Sequence, residues 1–452
     1  MATQELELPV TPTQLLSRCA GEPFVCALDG GDPRSWGNGR ALLGFRPRAT
    51  LRVSAGGDAR MRDGHEHRWH GDPFELLDRF CAAAAPAGAP EPFGGGVLAA
   101  LSYDLRHWVE RLPARAGDDL GLPVLHAAAY DWLLSYSYTD QRYQLASAHR
   151  SAAELREVAT RLAALAAQPP LNGTARRLPC PSTDITEAEY LAAVRAALGY
   201  IAAGDVYQVN LAHRISVTHA PAAARLFAAL QHHHPVPFGA YVDGGDFVLV
   251  SNSPECFLTL DGETLATFPI KGTRPRAAAT DADQALAAQL QADPKELAEH
   301  VMIVDLERND LGRVCRTGTV RVEEFARVHT FPSLHHLVSK VSGRLTSGTP
   351  LADVLRATFP GGSITGAPKV RAMEIIDALE PVQRGFYTGA IGFIGCDGRA
   401  VFNLAIRTAV ATPRKLTYHA GGGIVADSIP SREYDETLLK AQAFLVALTA
   451  AA

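Results

Sequence analysis

The sequence predicts an α+β fold built on large antiparallel sheets. Strand-like segments cluster between helices without a strand–helix–strand rhythm, which disfavours a Rossmann sheet. The composition, 47% hydrophobic and 20% charged over 452 residues, is that of a chain with a sizeable core. At about 150 residues per domain the length allows three domains, and equally one large fused unit.

Residues 1–170 form a first region that mixes β-like pieces, Val97–Tyr103 and Trp132–Tyr138, with helices such as Pro73–Ala83 and an Ala/Leu-rich one over 152–167. Two low-complexity stretches punctuate it: Cys81–Pro92 reads as a surface loop and Gln168–Arg177 as a linker. Residues 184–452 form a second region, expected to be fused with the first into one unit. Its first helix is marked by the capping-box pattern Thr186-x-x-Glu189, by apolar Leu191, Val194, Leu198 and Ile201, and by Gly204 as the stop. Strands are expected at Phe247–Ser251, Cys256–Leu260, Leu265–Pro269, Gly389–Ile394 and Leu416–His419. Helices fit Asp293–Asp310, Ala367–Leu379 and Ser431–Leu448.

Composition also excludes. With 43 basic and 48 acidic side chains, a net charge of −5 and no Lys/Arg block, neither nucleic acid nor an anionic membrane is expected as a partner. Met1–Val10 lacks the basic and apolar regions of a signal peptide, and the apolar tail Ala441–Ala452 is short for a membrane span. Seven scattered cysteines without a Cys-x-x-Cys pair suit a reducing cytoplasm better than a disulfide framework or a zinc site. The runs Gly94–Gly96 and Gly421–Gly423 match no nucleotide-binding signature. His232–His234, before Pro235, read as a solvated turn.

Only six lysines stand against 37 arginines. A lysine kept inside a motif then points to an amine that must lose its proton, which a guanidinium cannot do. Lys271 and Lys369 are the two that qualify. Lys271 lies in the largely apolar Phe268–Arg274, where desolvation would lower its pKa and make it nucleophilic; an exposed turn lysine is the competing reading. Gly361–Lys369 is a flexible loop entering a helix, with free amides suited to an anionic oxygen. Asp293-Pro294 starts a helix on which Glu296 and Glu299 share a face, and Glu433 and Glu436 repeat that spacing after Pro430. Two such pairs could enclose a hard divalent cation such as Mg²⁺. Taken singly, each pair is the pattern of a solvated helix face, and spacing does not show that they meet.

From about Asp184 to Lys440 the chain resembles the chorismate-utilising enzymes. The resemblance is carried by Asp205–Leu211, Ser253-Pro254-Glu255, Pro269–Thr273, Asp305–Gly312, Gly366–Lys369 and Gly421–Ser428, all in one order. It implies an anthranilate-synthase-like, two-lobed sandwich of large antiparallel sheets with helices outside, and chorismate bound between the lobes with Mg²⁺. By motif position, Glu299 and Glu436 would ligate the metal, with Glu296 and Glu433 holding its waters. Tyr387 and Arg407 would hold the enolpyruvyl carboxylate, and Gly421 and Lys440 would line the same pocket.

Three positions separate the branches of this family. Water-adding members carry Lys where this chain has Gln208, which cannot act as a base. Anthranilate synthases read Pro-Ile-Ala-Gly-Thr where this chain has Lys271, and carry Thr where it has Ser363. The chain is similar in these respects to the aminodeoxychorismate synthases, in which the lysine attacks ring C2 while a general acid, here Glu255, protonates the departing C4 hydroxyl. Ammonia then enters at C4 and expels the lysine, giving 4-amino-4-deoxychorismate for p-aminobenzoate and folate synthesis. No Leu-Leu-Glu-Ser segment of the tryptophan-feedback site is found. His336, in a His-x-Val-Ser-like segment, is a further catalytic candidate without an assigned role. No Gly-x-Cys-x-Gly nucleophile turn surrounds any cysteine, so ammonia is expected from a separate glutamine amidotransferase subunit. The alternatives are an anthranilate synthase component I, releasing anthranilate and pyruvate, and a non-catalytic scaffold for the glutaminase.

Overall fold

The computed structural model describes residues 2–31, 39–85, 93–169, 181–218, 220–331 and 334–451. Two antiparallel sheets, each of twelve described strands, face one another with helices on both outer sides. The expected sandwich is therefore observed. Alternation along single strands builds its layers. In Gly96–Leu101, Leu98 and Ala100 join the core between the sheets, whereas Val97, Ala99 and Leu101 join the core beneath the outer helices. Leu125–Tyr130 divides the same way, with Ala128 and Tyr130 inward and Leu125, Ala127 and Ala129 outward. A strand covered on both faces reads as a near-continuous apolar run; Gly96–Leu101 is one, and Leu125–Tyr130 is broken by the buried His126.

The outer core of the first sheet lies under helices Pro12–Cys19, Ala152–Ala166, Ala223–His233 and Pro430–Ala451. That of the second lies under Pro73–Ala84, Pro294–Gly312 and Leu351–Thr358. Both sheets interleave the two halves of the chain: Cys26–Asp29 pairs with Phe238–Asp243, and Gly96–Leu101 with Ala390–Gly395. No described helix is long and apolar enough to cross a membrane.

Most expected elements recur within a few residues, including the capping box at Thr186; Ser151 caps its helix in the same way. Four differences have physical causes. The strand expected at Leu416–His419 runs on to Ile424 through the glycine run, because glycine lets it press against its neighbour; a Cβ on Gly421 would lie 2.5 Å from the Leu211 carbonyl oxygen. The helix expected from Ala367 begins at Lys369, since Gly366 and Ala367 pair as a short strand with Val209 and Gln208. The strand expected to reach Pro269 ends at Thr267, and a second strand starts at Ile270. His232 and His233 end the helix Ala223–His233 instead of forming a turn; they are exposed, and His234 stops the helix ahead of Pro235. Most of the Gln168–Arg177 stretch, residues 86–92 of the Ala/Pro-rich loop, and Cys180 lie outside the described residues.

Two chain crossings between the sheets place the site. Val248–Ser253 belongs to the first sheet and Cys256–Asp261 to the second, so the chain changes sheets at Pro254-Glu255. Ala400–Leu404 belongs to the second and Thr408–Ala411 to the first, so it crosses back at Ala405–Arg407. The crossings are tied together: the Ser253 hydroxyl donates to the Leu404 carbonyl at 2.6 Å, and the Leu404 N–H to the Glu255 carbonyl at 3.0 Å.

Candidate active site

Glu255, on the first crossing, is 7% exposed. The Ser363 hydroxyl donates to its Oε1 at 2.7 Å. Burial pushes its pKa up to about 7, against the opposing pull of Ser363 and the Lys271 charge. A carboxyl so placed holds its proton near neutrality.

Lys271 sits on Ile270–Pro275 beside a bulge, where the register with Leu334–Arg344 shifts between Lys271 and Thr273. Gly272 takes the extra step at φ +64°, and a Cβ there would meet Leu290, Glu296 and Leu337. The Lys271 amine has no hydrogen-bond or ion-pair partner among the described residues. Desolvation lowers its pKa, countered by the charges of Glu255, Glu299 and Glu436. Both acidic helices thus lie within electrostatic reach of it.

On Pro294–Gly312, Asp293 caps the first turn through the Lys295 and Glu296 N–H groups. Burial raises the pKa of Glu299, and the neighbouring charges of Glu296 and Glu433 add to the rise. Burial likewise raises Glu433, with a further contribution from Glu436. The two helices therefore bring their carboxylates into one another's fields, as spacing alone could not show. The partners differ: Glu296 is held by Arg274 at 3.1 Å and Glu436 by Lys440 at 2.7 Å. Among the described residues no three acidic, imidazole or thiol groups converge tightly enough to hold an ion. Four carboxylates, three half-buried and Glu436 exposed, nonetheless supply the hard oxygen donors that a divalent cation takes.

Arg407, on the second crossing, has φ +49°, a conformation uncommon outside glycine, and its guanidinium has no partner among the described residues. His336, 6% exposed, points Nδ1 at Thr273 Oγ1 (3.0 Å) and the Gly272 carbonyl (3.3 Å). Burial, helped by the Arg407 charge, lowers its pKa to about 4, so its imidazole is neutral. Tyr387 is buried, stacked on His419 at 4.9 Å with the Asn210 side chain against its hydroxyl. Lys440 donates to the Gly421 carbonyl at 2.9 Å. The strand beyond Gly421 pairs on one edge only, because Thr408–Ala411 ends its pairing at Tyr418, and this leaves the Gly421 amide on the open edge.

Gln208 is fully buried, and neither its amide oxygen nor its nitrogen has a partner in the protein. A Cβ on Gly423 would lie 2.8 Å from its Nε2, so glycine is what makes room for it. An orphaned buried amide is expensive unless something else satisfies it.

Lys369, singled out by the lysine bias, is a structural group. Its amine pairs with Asp310 at 2.5 Å and reaches the Thr358 carbonyl at 3.3 Å, which ties the Gly361–Lys369 loop to Pro294–Gly312. Sequence reasoning also passed over Glu307, which stands in the Asp305–Gly312 motif but whose burial no pattern announces. It is 7% exposed, receives the Thr267 hydroxyl, and is pushed up to about 8 by burial, with the Glu255 and Asp310 charges adding.

A family profile described as chorismate binding enzyme matches residues 25–446. The chain is 40% identical over 401 residues to anthranilate synthase component 1 of Streptomyces coelicolor, covering 84% of this chain and 78% of that protein. It is 39% identical over 433 residues to aminodeoxychorismate synthase component 1 of Klebsiella aerogenes, covering 95% and 94%. The crystal structure of anthranilate synthase component I from Streptococcus pneumoniae superposes with a TM-score of 0.79 at 28% identity, over 90% of this chain and 92% of that one. The two kinds of synthase match equally well, so resemblance alone does not choose between them. What they share extends along almost the whole chain, and this protein belongs to the chorismate binding enzymes, a family of chorismate-utilising enzymes.

Proposed function

We propose that the protein makes 4-amino-4-deoxychorismate from chorismate and ammonia. The observation that carries this reading is the unpartnered, desolvated amine of Lys271 within electrostatic reach of a carboxyl that keeps its proton near pH 7. The neutral amine attacks ring C2, both ring double bonds shift by one position, and the C4 hydroxyl leaves as water with the proton of Glu255. Ammonia attacks C4, both double bonds shift back, and the C2–N bond to Lys271 breaks. Glu255, now a carboxylate, recovers a proton from the ammonium formed at C4, which closes the cycle. Gln208 offers its amide oxygen to an N–H group and has no basicity to activate water. Arg407, unpaired and planar, suits the enolpyruvyl carboxylate, and Tyr387 can donate to the same group.

Glu299 and Glu436 would hold Mg²⁺, with Glu296 and Glu433 on its waters. Such an ion, when bound, neutralises the ring carboxylate. The chemistry of the donor set supports this assignment. Because two relatives' names include the words component 1, we also read the chain as one subunit that receives ammonia from a separate glutamine amidotransferase.

Anthranilate synthesis is the second reading, because the chain is as similar to the Streptomyces anthranilate synthase component as to the Klebsiella aminodeoxychorismate synthase component. The deciding experiment incubates the purified chain with chorismate, Mg²⁺ and ammonium at raised pH and identifies the product by mass spectrometry. Expected are 4-amino-4-deoxychorismate with ammonium and no turnover with glutamine alone. Fluorescent anthranilate with pyruvate would establish the second reading. Absence of any turnover would leave the scaffold role.

A further inference from the structure

Arg384 has no part in the chemistry above, yet it is 2% exposed and every N–H of its guanidinium is engaged. Nε and Nη2 grip Glu380 at 2.8 and 2.6 Å. Nη1 donates to the Ile364 carbonyl at 3.1 Å and to Thr388 Oγ1 at 3.3 Å, and Nη2 also donates to the Asn210 carbonyl at 2.8 Å. Five donors thus meet five acceptors, the full capacity of the group.

The acceptors lie on segments far apart in sequence. Asn210 follows Gln208 by two residues, and its side chain lies against the Tyr387 hydroxyl. Ile364 follows Ser363, whose hydroxyl holds Glu255. Thr388 follows Tyr387, has φ +59°, and donates its own hydroxyl to the Tyr387 carbonyl at 2.6 Å. The guanidinium carbon also faces the Tyr387 ring at 5.7 Å. Glu380 in turn accepts the Ala212 N–H at 2.9 Å, so the pair clamps the Gln208–Val217 strand from both partners. An ion pair meant only to pin one helix end would not need acceptors on three other segments.

We propose that Arg384 is a positioning residue for substrate binding: its planar fork sets Tyr387 against the strand that carries Gln208, and so fixes where the substrate's enolpyruvyl carboxylate sits. This rests on the reading of Tyr387 as a substrate contact. Lysine at this position keeps the charge but is a compact point with no fork, and it cannot reach acceptors spread around a plane.

The test is a double-mutant cycle on the full chain with chorismate, ammonium and Mg²⁺, using Arg384→Lys, Tyr387→Phe and the double variant, with circular dichroism confirming that each is folded at the assay temperature. Arg384→Lys should raise KM for chorismate at least tenfold in the wild-type background and less than threefold in the Tyr387→Phe background, because the tyrosine through which it acts is already disabled. A KM unchanged by Arg384→Lys, with only a lower melting temperature or a smaller active fraction, would overturn the proposal. So would effects that simply multiply. If Tyr387→Phe alone leaves KM unchanged, the reading of Tyr387 fails first and takes the proposal with it, a pattern distinct from failure of Arg384 alone. Should Arg384→Lys not fold, Glu380→Gln loosens the same clamp without removing the guanidinium and is judged by the same two KM ratios.

Discussion

Replacing Glu255 by Gln should stabilise the protein above neutral pH while removing its activity. Burial holds the carboxyl's pKa at about 7, against an ordinary 4.5. A group whose pKa rises on folding binds its proton more tightly in the folded chain. Its contribution is complete below the unfolded value and is lost as pH climbs through the folded one. Between those two values, ionisation of Glu255 removes about 3 kcal/mol at about 1.36 kcal/mol per pH unit. Gln is neutral throughout and keeps an oxygen for the Ser363 hydroxyl, so the variant escapes that loss. Unfolding entropy of about 2.1 cal/mol/K per residue over the 452-residue chain converts about 3 kcal/mol into about 3 °C of Tm. Thermal melts of both proteins at pH 5 and pH 8 are the assay. The variant should gain about 3 °C at pH 8 and nearly nothing at pH 5. Glu307, raised to about 8 by burial with the Glu255 charge adding, is relieved of that charge in the variant, which acts in the same direction as the expected gain at pH 8. Activity should move the opposite way, with kcat down on the order of a hundredfold or more, since Gln has no proton for a leaving hydroxyl. A gain equal at the two pH values, or none at pH 8, would refute the reasoning.

Lys271→Arg keeps a cation that cannot deprotonate, so turnover should fall at least a thousandfold, on the order expected for losing a nucleophile. Wild-type enzyme given chorismate and Mg²⁺ without ammonia should carry a mass adduct on the peptide containing Lys271, and an unmodified peptide together with an active Arg variant would contradict the covalent route. Glu299→Gln and Glu436→Gln should each weaken Mg²⁺ binding, measured by titration calorimetry, by about tenfold or more, with activity lost in excess EDTA. Undiminished turnover in EDTA would remove the metal from the account.

Much of this protein is local in origin. The capping box at Thr186 and the Asp293 cap follow from side-chain chemistry a few residues apart, which is why the sequence alone marks where these helices begin, whereas the sandwich is what the family resemblance implies. The ordered motifs likewise point to chorismate before any coordinate. What the sequence does not contain is burial and partnership between distant residues. Lys271 and Lys369 look equivalent as rare lysines in glycine-rich motifs, and only the fold leaves one amine unpaired while giving the other Asp310. Glu296 and Glu299 share a helix face, yet tertiary packing gives Arg274 to the first and leaves the second facing Glu433. Gln208 is one amide among many until the sheets close over it without a partner. Glu255 and Arg407 lie about 150 residues apart, and both come to the site because the chain changes sheets at each. A titrating group responds to the dielectric and the charges within a few ångströms, and those are set by packing that no single stretch of sequence contains.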